Sequence, residues 1–275
     1  MPNFEIKPAS IYPISQVADL ITRGFEGYIV PININEAAFI TMLRRDGVDL
    51  GESRVLLKDN DPIGVALIAR RGWTSRLAAM GIVSNARGGG AGSWAMERLI
   101  EEARTRLEKE MILEVIEQNA AGVKLYQKVG FKTIRRLVGY QLANPEVRSK
   151  EELQELDIRE LAKLIAIHGL KDLPWQLSAE SIAQHTPPER AFRLHDSYCL
   201  ISDPHVEHIV IWSVLVKAGS RGAGLGPVMM RAVLSRFPGK TWHVPALFPE
   251  EMAPVFDQVG MQRSEISQLQ MSLKL

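Results

Sequence analysis

The feature that most limits how this 275-residue chain can fold is an internal repeat. Arg87-Gly88-Gly89-Gly90-Ala91-Gly92 and Arg221-Gly222-Ala223-Gly224-Leu225-Gly226 lie 134 residues apart. Each cluster follows an apolar strand pattern and opens a helical one. Downstream, Val129-Gly130-Phe131 and Val259-Gly260-Met261 repeat at a spacing of 130. A period this long, with the same element order around each copy, predicts two similar domains rather than one large one.

The first part alternates strand and helix patterns. Phe4–Ile6 is a short strand, and 15–25 and 35–45 carry helical spacing, with Ala37, Phe39, Ile40 and Leu43 on one face. Residues 53–57 and 62–69 read as strands joined by a turn at Asp59-Asn60-Asp61. Residues 77–83 form a third strand and 92–109 an amphipathic helix. A strand at 111–116, a helix at 120–129 and a strand pair or bent strand at 131–142 follow. The polar stretch 144–157 breaks the pattern and contains Pro145, so it predicts a linker between domains at 1–143 and 158–275. After it the order recurs, ending in strands from Met261 to Leu273. The fold class is α/β, with a mixed, mostly antiparallel sheet and flanking helices in each domain.

Composition narrows the function. Hydrophobic residues make up 46% and charged residues 24%, as in ordinary globular chains, which excludes a disordered or collagen-like polymer. Thirty-three Lys and Arg against 32 Asp and Glu give a net charge of +1, with +3 before residue 144 and −2 after it. Neither half carries a field suited to nucleic acid or an anionic membrane, so no partner of either kind is expected. The single Cys199 excludes an internal disulfide and reads as a small buried hydrophobe. MPNFEIKPAS has neither the basic stretch nor the apolar core of a signal peptide, and no apolar run approaches the ~20 residues that span a bilayer. A cytoplasmic protein is expected; a homodimer is compatible with the sequence.

A glycine cluster between a strand and a helix leaves main-chain N–H groups unshielded at the positive end of a helix dipole, where a phosphate can approach closely. Arg87 and Arg221 could add a charged fork there. A Walker loop does not fit: Gly239-Lys240-Thr241 supplies its end, but Leu234 stands where its first glycine belongs. A dinucleotide fingerprint can be forced onto Gly90, Gly92 and Ala95, yet the cluster follows several strands instead of the first.

Arg87-x-x-Gly90-x-Gly92, between the strand 77–83 and its helix, resembles the acetyl-CoA-binding signature of the GNAT superfamily of N-acyltransferases. The similarity continues through Leu113-Glu114-Val115, Asn119, Gly122, Leu125-Tyr126 and Gly130-Phe131, and covers about residues 50–142. The resemblance implies that acetyl-CoA is the cosubstrate, its pyrophosphate held by Arg87, Gly88, Gly89, Gly90, Ala91 and Gly92. Its pantetheine arm would lie between the strands 77–83 and 111–116 against main-chain groups of Ile82 and Val83, and amides near Ile82 could stabilise an oxyanion. Asn119 would contact the cofactor or order its segment. Tyr126 would bind the cofactor and act as the acid for the departing thiolate. Glu114 would be the base that takes the proton of the acceptor ammonium, with Glu117 or water as substitutes. The acceptor would be the primary amine of a small molecule or peptide, selected by 11–45 and 132–142. The alternative is a non-catalytic acyl-CoA-binding sensor.

The second half departs from the pattern where chemistry would occur. Phe256 stands at the Tyr126 position and Pro249 at the Asn119 position, so this domain reads as GNAT-like and non-catalytic, with a cradle that could still take a CoA-type ligand. Asp203, His205 and His208 cluster beside Pro204 without a fourth ligand at metal spacing, and no metal site is expected.

Overall fold

The computed structural model describes residues 3–275, and its contacts fall into two compact units, 1–134 with 269–275, and 135–268.

In unit 1 the chain runs β1 (Phe4–Pro8), α1 (Ile14–Gly24), α2 (Glu36–Asp46), β2 (Val48–Lys58), β3 (Asp61–Arg71), β4 (Thr74–Ile82), α3 (Ala91–Thr105), β5 (Glu110–Ile116) and α4 (Ala120–Lys128). Local chemistry sets the boundaries. Asn35 caps α2 by accepting from the Ala38 N–H at 2.9 Å, and Gly47 ends it at a φ of 66°. Asp59 and Asn60 both take positive φ, the backbone that a tight β2–β3 hairpin requires. Strands β1 to β4 pair in sequence and antiparallel, and β5 joins β4 in parallel.

The sheet is covered on both faces, which the alternation along β3 makes explicit. Val65 and Leu67 pack with Val17, Leu20 and Ile21 of α1, whereas Ala66 and Ile68 pack with Met96 and Leu99 of α3. Hence the near-continuous burial from Ile63 to Ala69. An ion-pair network closes the far end of this unit. Glu108, 6% exposed, accepts from Arg70 Nε at 2.6 Å and Arg106 Nε at 2.8 Å. Burial pushes the Glu108 carboxyl up, but these guanidinium bonds outweigh it and hold it below its ordinary value of 4.5. Its stabilisation is therefore present above pH 4.5 and is lost as pH falls through the lowered value. Glu108→Gln should cost about 2 kcal/mol at pH 7. The difference from the parent protein should shrink at pH ~3, which urea titrations at the two pH values would check.

Unit 2 contains β6 (Lys132–Ala143) from Arg135 onward, then β7 (Gln154–Leu156), α5 (Ile158–His168), α6 (Ala179–Ile182), β8 (Arg190–Leu194), β9 (Ser197–Ile201), β10 (His208–Val216), α7 (Leu225–Arg236), β11 (Thr241–Pro249) and α8 (Ala253–Asp257). Strand β12 (Gln262–Lys274) lies in unit 2 up to Gln268, and its tail lies in unit 1. The antiparallel run β7–β8–β9–β10, the parallel β10–β11 pair and the antiparallel β11–β6 pair make up the strand pairing of unit 2.

These bounds correct the division at 143 and 158. Buried Leu137, Val138 and Tyr140 of β6 pair with β11. In unit 1 the tail 269–275 completes the core instead: Met271 is fully buried among Met111, Leu113 and Phe131. The Leu275 N–H donates to Lys109 O at 3.1 Å, and Lys274 Nζ lies 2.7 Å from Glu110. The stretch 144–157 is no bare linker, since it carries β7 and ends at Asp157, which caps α5. The closing strands expected from Met261 are the single long β12.

Candidate functional site

Strands β4 and β5 pair only from Thr74–Glu110 to Leu77–Leu113, although β4 continues to Ile82 and β5 to Ile116. Beyond Leu77 they separate, and the loop 83–90 leads from the open end of β4 into α3. Gly88 and Gly90 take φ values of 79° and 85°, and a Cβ at either would meet nothing within 4 Å. This backbone suits glycine and turns the main chain toward the helix start. Among the described residues, none of the N–H groups of 88–93 donates to a backbone carbonyl; the first that does is Trp94, to Gly90 O at 3.0 Å. Five consecutive donors from Gly88 to Gly92 are thus left without a backbone acceptor at the N-terminus of a 15-residue helix. Gly92 lets α3 approach α4, since a Cβ there would lie 3.3 Å from Leu125.

The Arg87 guanidinium is not a free phosphate fork. Its Nε donates to Ile82 O at 2.8 Å, and its Nη2 to Gly24 O at 3.0 Å and Glu26 O at 2.9 Å. It pins the end of α1 to the end of β4. The Val83 N–H donates to Ile63 O at 2.8 Å, so that group too has an internal partner. Gly24 and Gly81 allow α1 to come this close, and Gly64 lets β3 lie against β4. A Cβ on Gly24 would lie 2.8 Å from Gly81 C, and one on Gly64 would lie 2.3 Å from Gly81 O. No side chain separates helix from strand there.

Tyr126 projects from α4 into the core beside Phe131, ring centroids 6.0 Å apart, and is 9% exposed. Burial, with nearby Tyr28, pushes its hydroxyl well above the ordinary phenol value, so it stays protonated across the physiological range. Asn119 caps α4, accepting from the Gly122 N–H at 3.0 Å, and its Nδ2 donates to Tyr28 Oη at 3.3 Å. Tyr28, on the α1–α2 loop, stands edge-on to Phe25 at 5.1 Å. No local pattern marks Tyr28, whose contact lies 91 residues away along the chain.

Glu114 lies elsewhere on β5 from the Met111–Leu113–Val115 core face, and its side chain is 2% exposed. Oε2 accepts from Arg76 Nε at 2.8 Å, and Arg76 also reaches Asp46 at 3.1 Å. Its Oε1 is buried without a hydrogen-bond partner among the described residues. The Arg76–Glu114 pair was not anticipated; the two residues meet only because β4 and β5 are neighbours.

The turn and its Arg pin recur in unit 2. Gly222 and Gly224 take φ values of 81° and 76°, Arg221 Nε donates to Val216 O at 3.3 Å, and Arg221 Nη2 donates to His168 O.

A family model described as Acetyltransferase (GNAT) family matches residues 22–131, the greater part of unit 1 from the end of α1 onward. Unit 1 is a GNAT domain. Solved structures extend the likeness of fold to the whole chain. A tandem GNAT protein from the clavulanic acid biosynthesis pathway matches at 15% identity, covering 100% of this chain and 98% of its own, with a TM-score of 0.65. A GCN5-related N-acetyltransferase from Sphaerobacter thermophilus matches at 15% identity, covering 98% and 95%, with a TM-score of 0.68. No curated protein matches. The chain therefore has the tandem GNAT fold, and the GNAT family is one of acyl-CoA-dependent N-acetyltransferases. In the GNAT domain the separated strands, the free amides, Asn119 and Tyr126 occupy one end of the sheet. Among the described residues no group of three or more His, Cys, Asp or Glu could hold a metal, and no helix is long and apolar enough to cross a membrane. The Asp203–His205 cluster is a local turn in which the His205 N–H donates to Asp203 at 2.9 Å.

Proposed function

We propose that the GNAT domain transfers the acetyl group of acetyl-CoA to the primary amine of a small-molecule or peptide acceptor in the cytoplasm. The observation that carries this reading is the run of free amides from Gly88 to Gly92 beside the separated ends of β4 and β5. Those amides and the dipole of α3 suit a pyrophosphate, and the open space at Gly88 and Gly90 suits its close approach. Acetyl-CoA would supply the activated acyl carbon as a thioester. Ile82 and Val83 flank the space its arm would enter, and Asn119 orders the start of α4. Tyr126, held protonated, has the proton that a departing thiolate needs. Glu114, fixed through Oε2 by Arg76, keeps Oε1 to accept the proton of the incoming ammonium. The second unit, with Phe256 and Pro249 in place of Tyr126 and Asn119, does not transfer.

The test uses the full chain with acetyl-CoA and a panel of alkylamines, polyamines, aminoglycosides and peptides, scored by free thiol. The expected result is saturable acetyl-CoA binding and amine-dependent thiol release. Binding without release from any amine supports a sensor instead, and no binding at millimolar acetyl-CoA overturns both.

A further inference from the structure

Between Phe25 and Asn35, where the chain passes from α1 to α2, the only charged residue is Glu26, and it is exposed. This connection is anchored along its length. Ile32 and Ile34 pack against the core beneath α1, and the Ile34 N–H donates to Thr22 Oγ1 at 3.3 Å. Phe25 lies against β4, since a Cβ on Gly81 would stand 3.1 Å from its Cδ2. Tyr28 Oη accepts from Asn119 Nδ2 at the start of α4. The stretch from Phe25 to Tyr28 therefore borders the end of the sheet at which β4 and β5 separate. Directly after it come Ile29 and Val30, 44% and 38% exposed. Single exposed hydrophobics need no explanation, but two adjacent ones on an anchored segment at the edge of a site are surface that a ligand can cover.

The same end of the sheet offers one buried carboxylate oxygen. Glu114 follows the last β5 residue paired with β4, and its partner Arg76 also reaches Asp46 at the end of α2. The three thus lie on the face that α1 and α2 cover. Two carboxylates share one guanidinium there, and Glu114 Oε1 is buried without a hydrogen-bond partner among the described residues. That oxygen suits one ammonium. A second ammonium in the same ligand has no such place. Glu117, on the β5–α4 connection, is engaged within the protein. Exposed Glu26 would form a solvated pair that gains little, and burying an unpaired ammonium against Ile29 and Val30 is costly.

We propose that the acceptor is a primary monoamine with an apolar body, its ammonium at Glu114 Oε1 and its body against Tyr28, Ile29 and Val30. The proposal rests on the acetyl-transfer reading of the GNAT domain. A free amine and a peptide N-terminus with an apolar first residue share this chemistry, so the test carries a pair for each: hexylamine against ethylamine, and Leu-Gly-Gly against Gly-Gly-Gly. Thiol release by the full chain with acetyl-CoA gives kcat/KM for each, with spermidine and kanamycin alongside. In at least one pair the apolar member should exceed its partner by at least about tenfold, and the pair that shows this names the source. Spermidine and kanamycin should fall below that apolar member by as much. Ile29→Asp and Val30→Asp, each checked for folding by a thermal melt, should cut the preference at least about fivefold and leave acetyl-CoA affinity unchanged. The proposal is overturned if neither pair shows the preference, if spermidine or kanamycin is used as well as the apolar amines, or if the preference survives in both variants. Any of these results with thiol still released leaves the acetyl-transfer reading standing, whereas no release from any amine removes both.

Discussion

Tyr126→Phe should lower amine-dependent thiol release by about 100-fold, the scale of a lost general acid, and change acetyl-CoA affinity by less than about twofold. The substitution removes one hydroxyl and keeps the ring against Phe131, so the core of α4 is preserved. Both burial and Tyr28 hold the proton on that hydroxyl. Any alkaline fall in rate near neutral pH therefore belongs to another group, and the variant should keep the shape of the parent pH profile below pH 9. Steady-state kinetics with titration of acetyl-CoA would separate the two effects. Unchanged turnover would remove Tyr126 from the chemistry.

Gly64→Ala should cost unit 1 about 3 kcal/mol or more, as a steric conflict in a packed core. The added methyl would sit 2.3 Å from Gly81 O and 3.2 Å from Ile82 Cα, both main-chain atoms that cannot rotate aside. Relief would require shifting β4 against β3, which moves Ile82 and with it the Arg87 pin and the glycine turn. Loss of acetyl-CoA binding should accompany loss of stability. Gly219→Ala is the control, because a Cβ there meets nothing within 4 Å. Urea unfolding of the two variants beside the parent decides the matter; a cost below about 1 kcal/mol for Gly64→Ala would show that the strand shifts freely.

What could be read from the residues was local. The glycine turns, the Asp59-Asn60 hairpin and the amphipathic faces of α1 and α3 are each set within a few residues, and each stands where the pattern places it. The repeat extended that reading to unit 2. What escaped was set by pairing across the fold. Arg87 looked like a phosphate ligand because its motif says nothing of the carbonyls of Gly24 and Glu26, more than sixty residues away. Glu114 looked like an unencumbered base because Arg76 enters only through the β4–β5 register. Tyr28 belongs to a loop without regular pattern.

The membership of residues 269–275 in unit 1 has a consequence for synthesis. Until they leave the ribosome, after every residue of unit 2, Met111 and Leu113 lack the cover of Met271 and β5 presents a bare apolar border. The half translated first is thus finished last. Severing the chain after residue 143 would yield a fragment permanently in that unfinished condition, inclined to self-associate through β5.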